Sequence, residues 1–204
     1  MQISLTYCDE RGAGWIAATP AYMRRASHAL ATEDGVWLVD PVDGDGLRDI
    51  LAPLGDVRGV IQLCGRHARD CAALAARLSA PHLVTPFAGV AGSPFEVVTV
   101  LDRPWWREVA LWWSQQRTLI VPEALGTAPY YRMPGAELGV HPALRLTPPR
   151  ALVGFDAARL LPGHGAPVEG AHVAGAIRDA VDRSRREIPA LYARLARHGG
   201  RPPG

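Results

Sequence analysis

The chain has 204 residues, of which 48% are hydrophobic and 21% charged, fractions typical of a folded, soluble protein rather than a disordered one. The formal net charge is only +2, so neither nucleic acid nor an anionic membrane is an expected partner. No run of about 20 apolar residues exists for a membrane span, and no N-terminal secretory pattern is seen. Three cysteines make a poor disulfide framework, so we expect cytoplasmic localisation.

The first half of the chain predicts strands followed by short helices. Residues 24–32 and 36–40 predict two strands joined by the turn Glu33-Asp34-Gly35, a hairpin pattern. Asp45 can cap a short helix that has Leu47, Ile50, Leu51 and Leu54 on one face. Residues 57–63 predict a buried strand, and the helix after it has apolar residues at helical spacing: Cys71, Leu74, Ala75 and Leu78.

The second half predicts further strands and a C-terminal helical region. Short apolar runs predict strands at residues 82–84, 95–101, 108–113, 118–122 and 160–161. Apolar residues between Val173 and Leu195 lie mostly at helical spacing, and Pro189 should kink or divide this last helix. The tail, residues 199–204, should be frayed. Because no linker divides the chain, residues 1–204 are expected to form a single domain with mixed α and β structure.

Two polar turns at strand ends carry the candidate chemistry. The strand over residues 57–63 runs into Cys64-Gly65-Arg66-His67-Ala68-Arg69-Asp70, and nearly a hundred residues later comes Leu161-Pro162-Gly163-His164-Gly165. Together these turns resemble the metallo-β-lactamase superfamily, which builds a two-metal hydrolytic site from such strand ends. The resemblance covers roughly residues 24–170 and implies an α+β fold, the four-layer αββα sandwich.

The first turn departs from the family's His-x-His-x-Asp-His motif at three of its four positions. His67 stands at the second histidine, whereas Gly65, Arg69 and Asp70 stand at the other three ligand positions. The family's next ligand, a histidine in a Gly-His turn, is also missing, since no histidine lies between His82 and His141. The resemblance therefore implies a degenerate first metal site, with too few histidines to hold zinc tightly.

The remaining ligands implied by the resemblance belong to the second metal site. Asp70 can still ligate through oxygen, Glu123 stands at the family's bridging Asp, and His164 closes the site. Asp40 stands where the family keeps an Asp that orients the ligands. This set, with His67 as a further ligand or a proton shuttle, would hold at most one divalent ion, Zn²⁺, Mn²⁺ or Fe²⁺. Without metal, these residues would be helix caps and loop side chains.

The sequence leaves two functions open. In the first, the protein is a metal-dependent hydrolase that cleaves an ester, thioester or phosphoester-type bond in a small-molecule substrate. His67 and Arg69 would then be catalytic, and Arg66, Trp105 and Trp106 would contact the substrate. In the second, the same fold is a non-catalytic ligand-binding or scaffold protein, and Arg69 replaces the metal's charge by pairing with Asp70 or Glu123. Oligomeric state is not predicted.

Overall fold

The computed structural model describes residues 1–18 and 23–197, which form two large sheets and four α-helices. The first six strands are β1 Ile3–Asp9, β2 Gly12–Ala17, β3 Ala26–Thr32, β4 Gly35–Val39, β5 Val57–Gln62 and β6 His82–Val84. The later strands are β7 Glu96–Arg103, β8 Trp106–Trp113, β9 Thr118–Val121, β10 Leu125–Gly126, β11 Gly139–Val140, β12 Arg159–Pro162 and β13 Val168–Glu169. The helices are α1 Leu47–Leu51, α2 Cys71–Arg77, α3 Val173–Arg183 and α4 Ile188–Arg197.

The strands form one six-stranded and one five-stranded sheet. The first follows chain order from β1 to β6, and the second has the order β13-β12-β9-β8-β7. Strands β4, β5 and β6 run parallel, as do β9 and β12, so their carboxyl ends lie at common edges of the sheets. In the part of the chain that the structure describes, no helix is long and apolar enough to cross a membrane.

Alternating side chains divide the core into layers. In β4, Val36 and Leu38 pack with α1 and α2, whereas Trp37 and Val39 pack between the two sheets. In β8, Val109 and Leu111 join the layer between the sheets, and Ala110 faces the layer that contains α3. This alternation is the two-residue period of strands whose two faces are both covered. The predicted αββα sandwich is therefore confirmed.

The predicted strands and helices are confirmed, with ends shifted by at most three residues. Pro189 divides the last helix, and because it lies in the first turn of α4 its missing N–H costs no helical hydrogen bond. Asp45 is not a helix cap: α1 is preceded by Gly46, and the Asp45 carboxylate lies 3.6 Å from the N-terminal amine. The predicted fraying of residues 199–204 lies outside the described residues.

The N-terminal hairpin of β1 and β2 is absent from the sequence-based prediction. Strand β2 reads Gly-Ala-Gly-Trp-Ile-Ala, a composition poor in the β-branched residues that indicate a strand. All six residues are nevertheless buried. The glycine at position 14 is required by packing, because a Cβ there would lie 2.2 Å from the Tyr7 ring. Tertiary packing, rather than local preference, makes this segment a strand.

A buried histidine links the two sheets close to the second polar turn. The Nε2 of His28, in β3, donates to the carbonyl oxygen of Pro162, in β12, at 3.0 Å. Its Nδ1 is therefore unprotonated and accepts a hydrogen bond from the Tyr7 hydroxyl at 3.3 Å. Burial lowers the pKa of His28 to about 4, so the ring is neutral in the folded protein above that pH.

We expect His28 to make the protein less stable in mild acid. Between its unfolded pKa of about 6.5 and its folded pKa of about 4, the unfolded chain binds a proton that the folded protein does not. The free energy of unfolding should therefore fall as pH is lowered through this window. Urea unfolding at pH 7 and pH 4.5 should show a loss about 2 to 3 kcal/mol larger in wild type than in His28→Gln. The exposed His172 provides the control His172→Gln, which should behave as wild type; equal losses in all three proteins would contradict this account.

Candidate metal centre

Four strand ends bring the central residues of the site together. Asp40 follows β4, His67 lies in the turn after β5, Glu123 follows β9, and His164 follows β12. The rings of His67 and His164 have their centroids 5.1 Å apart, so the two predicted polar turns do converge. One ligand atom from each of His67, Glu123 and His164 lies within 4.8 Å of the other two, and all three residues are buried.

Three hydrogen-bond acceptor atoms face one another in this cluster: the Nε2 atoms of His67 and His164 and the Oε2 atom of Glu123. The Nδ1 of His67 faces the Asp40 carboxylate at 2.9 Å, and the Nδ1 of His164 faces the Met23 carbonyl at 2.9 Å. Because these partners only accept, each Nδ1 carries the hydrogen, and the Nε2 of a neutral ring presents a lone pair. The two Nε2 atoms lie 3.1 Å apart. The Oε2 of Glu123 contacts the Nε2 of His67 and lies 3.3 Å from that of His164. Such a set requires a proton or a metal ion at its centre.

The pKa values describe the protonated form of the cluster. Burial and the nearby Arg69 act to lower the pKa of His67, but the carboxylates of Asp40 and Glu123 outweigh them and raise it. Burial lowers the pKa of His164, and the neighbouring His67 adds to this shift. Burial would raise the pKa of Glu123, yet hydrogen bonds from His164 and His67 hold it well below its usual range. The raised pKa of His67 favours a proton on this ring between the two carboxylates, and a divalent cation would replace that proton.

The second carboxylate oxygen of Glu123 is held by three donors. The hydroxyl of Tyr131 donates to Oε1 at 3.1 Å, and an Arg66 nitrogen lies 3.4 Å away. The Nε2 of His141 lies 3.3 Å from the same oxygen. Because the Nδ1 of His141 accepts from the Ala143 N–H, the hydrogen of the neutral ring is on Nε2, the atom close to Glu123. Glu123 is therefore oriented to present Oε2 alone to the two histidines.

A second buried carboxylate fixes the loop that carries Glu123. Glu108, in β8, accepts hydrogen bonds from the backbone N–H groups of Glu123 at 3.1 Å and Ala124 at 2.8 Å. It also accepts from the indole N–H of Trp106 at 2.6 Å. Burial raises the pKa of Glu108 to about 7, although these three donors favour the charged form. An acidic residue inside an apolar strand was the one sequence signal for this anchor; the positions of Tyr131 and His141 in a Pro/Gly-rich connection carried none.

Asp40 reaches the site and Asp70 does not. Asp40 accepts from the Leu63 N–H with one carboxylate oxygen and holds His67 with the other, as its predicted orienting role requires. The Oδ2 of Asp70 instead accepts from the Asp43 N–H at 2.8 Å. His67 and Asp70 do not share a helical face, because α2 begins only at Cys71 and the backbone at Arg69 is left-handed, with φ of 41°.

Arg69 binds main-chain carbonyls rather than carboxylates. Its guanidinium donates to the carbonyl oxygens of Ala26, Asp40 and Gly163, the last two at 2.8 and 2.9 Å. Among the described residues it forms no ion pair with Asp70 or Glu123, the pairs that the scaffold alternative requires. The charge of Glu123 is met by His67 and His164 instead. Arg69 therefore fastens the strand ends and adds positive charge near the cluster.

The predicted substrate-contacting residues have different environments. Arg66 lies over the Trp106 ring, with its guanidinium carbon 4.1 Å from the ring centroid, and Trp106 itself is buried. Trp105 is 60% exposed. A cavity of about 230 Å³ opens beside the cluster, and its lining includes Arg66 and Arg69 but neither tryptophan. Trp106 thus packs against the Arg66 guanidinium and does not line this cavity.

Comparison of the structure with solved structures identifies the fold. A metallo-β-lactamase from Erythrobacter litoralis is 12% identical, with a TM-score of 0.57 and 92% of each chain covered. The metallo-β-lactamase FIM-1 from Pseudomonas aeruginosa, solved in a mono-zinc form, is 10% identical, with a TM-score of 0.55 over 91% of this chain and 97% of that one. TTHA1623, solved in a di-iron-bound form, is 18% identical, with a TM-score of 0.52 over 81% and 96%.

The chain therefore has the metallo-β-lactamase fold. No protein-family model matches the sequence, and no curated protein matches it significantly. The similarity is therefore one of fold, at 10–18% sequence identity to the structures compared.

The role of Arg69 can be tested by removing its side chain. Arg69→Ala leaves three carbonyl oxygens at the junction of the sheets without their charged donor, and we expect a loss of about 3 kcal/mol in the free energy of unfolding. The matched control is Arg77→Ala, which breaks an exposed ion pair with Asp43 and should cost less than about 1 kcal/mol. Urea unfolding of the chelator-treated proteins measures both values. If Arg69→Ala loses no more stability than the control, Arg69 does not fasten the strand ends as described.

Proposed function

We propose that the protein is a metal-dependent hydrolase that holds one divalent ion between His67, Glu123 and His164. The observation that carries this proposal is the convergence of two imidazole lone pairs and one carboxylate oxygen in a buried cluster beside a cavity. Two histidines and one glutamate are a ligand set of catalytic zinc sites, in which a fourth position stays open for water or substrate. Relatives in fold that were solved with zinc or iron support the same chemistry.

The residues around the cluster fit a bound cation as well as a bound proton. Asp40 fixes the His67 tautomer that presents Nε2 as a ligand, and the Met23 carbonyl does the same for His164. Tyr131 and His141 hold the outer oxygen of Glu123, and so leave one oxygen for the ion. The ion would supply Lewis acidity, which activates water and polarises the carbonyl or phosphoryl oxygen of the substrate. The substrate would be a small molecule with an ester, thioester or phosphoester bond.

The site supports a single ion rather than a pair. Asp70 is bound to the Asp43 backbone and offers no ligand atom to the cluster. The Arg69 guanidinium lies beside the cluster of His67, Glu123 and His164, where its positive charge opposes the binding of a second divalent ion. The donor set does not distinguish Zn²⁺ from Mn²⁺ or Fe²⁺, because imidazole and carboxylate serve all three.

Metal content is the first test of the proposal. Protein loaded with Zn²⁺ and then dialysed should retain about one equivalent, and a chelator should lower its melting temperature, because an ion that binds only the folded state stabilises it. Glu123→Gln and His164→Gln should each retain much less metal, whereas the exposed His172→Gln should retain as much as wild type. Elemental analysis measures the content. Two retained equivalents would overturn the single-ion site, and none would favour the non-catalytic alternative.

Hydrolysis is the second test. Metal-loaded wild type should hydrolyse at least one of three probes: p-nitrophenyl acetate, an acetyl thioester or bis-p-nitrophenyl phosphate. Because Glu123 is a ligand and lies beneath the cavity, Glu123→Gln should lower kcat/KM by at least about 100-fold. His172→Gln should keep the wild-type value. Activity equal in Glu123→Gln and wild type would show that any hydrolysis arises elsewhere. Metal binding with no hydrolysis of any probe would favour a ligand-binding role.

A further inference from the structure

The cavity beside the metal cluster is lined by an excess of positive charge. Its lining residues are Met23, Arg25, Arg66, His67, Arg69, Glu123 and His164. Glu123 is the one acidic residue among them, and its charge is already met by the two histidines. Three guanidinium groups therefore face a small space of about 230 Å³, room for about eight water molecules at liquid density. A cavity of this kind concentrates small anions.

Arg66 is held in place with most of its donors free. Its guanidinium stacks on the Trp106 ring, which is itself anchored by the hydrogen bond from its indole to Glu108. Within the described part of the chain, its side chain makes one polar contact, to Glu123 at 3.4 Å. A guanidinium has five N–H donors in a planar fork that fits two oxygens of a carboxylate or phosphoryl group. Stacking reduces the entropy lost when such a group binds.

Arg25 directly precedes β3, and its backbone is held against the second polar turn. It forms an isolated β-bridge with His164, and the neighbouring Ala26 N–H donates to the Gly163 carbonyl at 2.8 Å. Its exposed side chain makes no hydrogen bond or ion pair with any other described residue. Arg69, by contrast, donates to three main-chain carbonyl oxygens and so contributes only its positive charge to the cavity. Among the described residues, Arg25 has no side-chain partner and Arg66 has one, and the two arginines border the cluster from different segments of the chain.

We propose that Arg25 and Arg66 form an anion-binding subsite, and that the substrate carries a carboxylate or phosphoryl group close to the bond that is cleaved. The substrate part of this inference rests on the proposed hydrolytic function. The anion-binding part does not, because it follows from the two guanidinium groups and the cavity that they line. Binding and hydrolysis can therefore be tested separately.

Calorimetry of anion binding tests the subsite without any turnover. Inorganic phosphate and succinate are titrated into the chelator-treated and the zinc-loaded protein, at low and high salt. Both states of wild type should bind at least one of the two anions, more weakly at high salt. Arg25→Gln and Arg66→Gln should each raise Kd about tenfold, the loss expected for one charge-assisted contact. Tighter binding of phosphate or of succinate identifies the preferred group.

The control is Arg107→Gln on the β7–β8 hairpin. Arg107 lies over the Phe87 ring and pairs with Asp102, and it does not line the cavity, so this variant should bind anions as wild type does. Arg66→Lys should recover only part of the affinity, because it restores the charge without the fork. Failure of wild type to bind either anion, or an unchanged Kd in both glutamine variants, would overturn the subsite.

Hydrolysis then tests the substrate class. The metal-loaded enzyme should have a higher kcat/KM for the p-nitrophenyl monoester of succinate than for p-nitrophenyl acetate, and Arg25→Gln should remove most of this preference. If the neutral ester is cleaved as well as the anionic one, the proposed substrate class is wrong, but the proposal that the protein is a hydrolase is supported. Anion binding without any hydrolysis would support the anion-binding subsite and overturn the proposed hydrolytic function.

Discussion

The guanidinium of Arg69 joins the two sheets at the edge where the site lies. Its carbonyl partners at Ala26 and Asp40 belong to the ends of β3 and β4, and the one at Gly163 follows β12 in the other sheet. Backbone hydrogen bonds between residues 24–26 and 163–165 reinforce the same junction. The position of His164 relative to His67 depends on this junction, since each histidine follows a strand of a different sheet. A shift between the sheets would move the ligand atoms apart.

Charge balance around Glu123 is the second constraint. A buried carboxylate is costly unless positive charge and hydrogen bonds surround it. Here one oxygen faces two imidazoles, and the other meets donors from Tyr131, His141 and Arg66. Glu108 lies behind the same loop, and burial brings its pKa to about 7. Two carboxylates in one buried region therefore require a cation or a proton in the cluster, and the metal and the protonated His67 are alternatives for that role.

The replacement of an expected ligand by an arginine changes what the fold can hold. Arg69 stands at the position where the resemblance to the superfamily implies an aspartate, and it supplies a permanent positive charge close to the cluster. Because the Arg69 charge opposes a second divalent ion, it supports the proposal of a single metal ion. Together with Arg25 and Arg66, it also supports the proposal of an anionic substrate. The same substitution thus argues for a smaller metal centre and for a more selective cavity.

The sequence by itself determined a domain of mixed α and β structure and the pair of turns that form the site, whereas the sandwich was implied by the family resemblance. Strand and helix periods depend on local burial, so β3 to β9, α2 and the division of the last helix at Pro189 were predictable. His67, Glu123, His164 and Asp40 were identified because each follows an apolar strand in the order that the resemblance implies. Asp70, which the resemblance placed among the metal ligands, instead accepts from the Asp43 N–H, and the backbone at the preceding Arg69 is left-handed.

Only the tertiary structure decided how these residues are used. Glu108, Tyr131 and His141 reach Glu123 from segments 8 to 18 residues away along the chain, through contacts that no local pattern encodes. The buried hairpin of β1 and β2 likewise forms because Gly14 lets the Tyr7 ring lie against it, against the strand preference of its own residues. Arg69 was expected to pair with a carboxylate, but it donates to three main-chain carbonyl oxygens at the junction of the sheets, whereas the charge of Glu123 is met by His67 and His164.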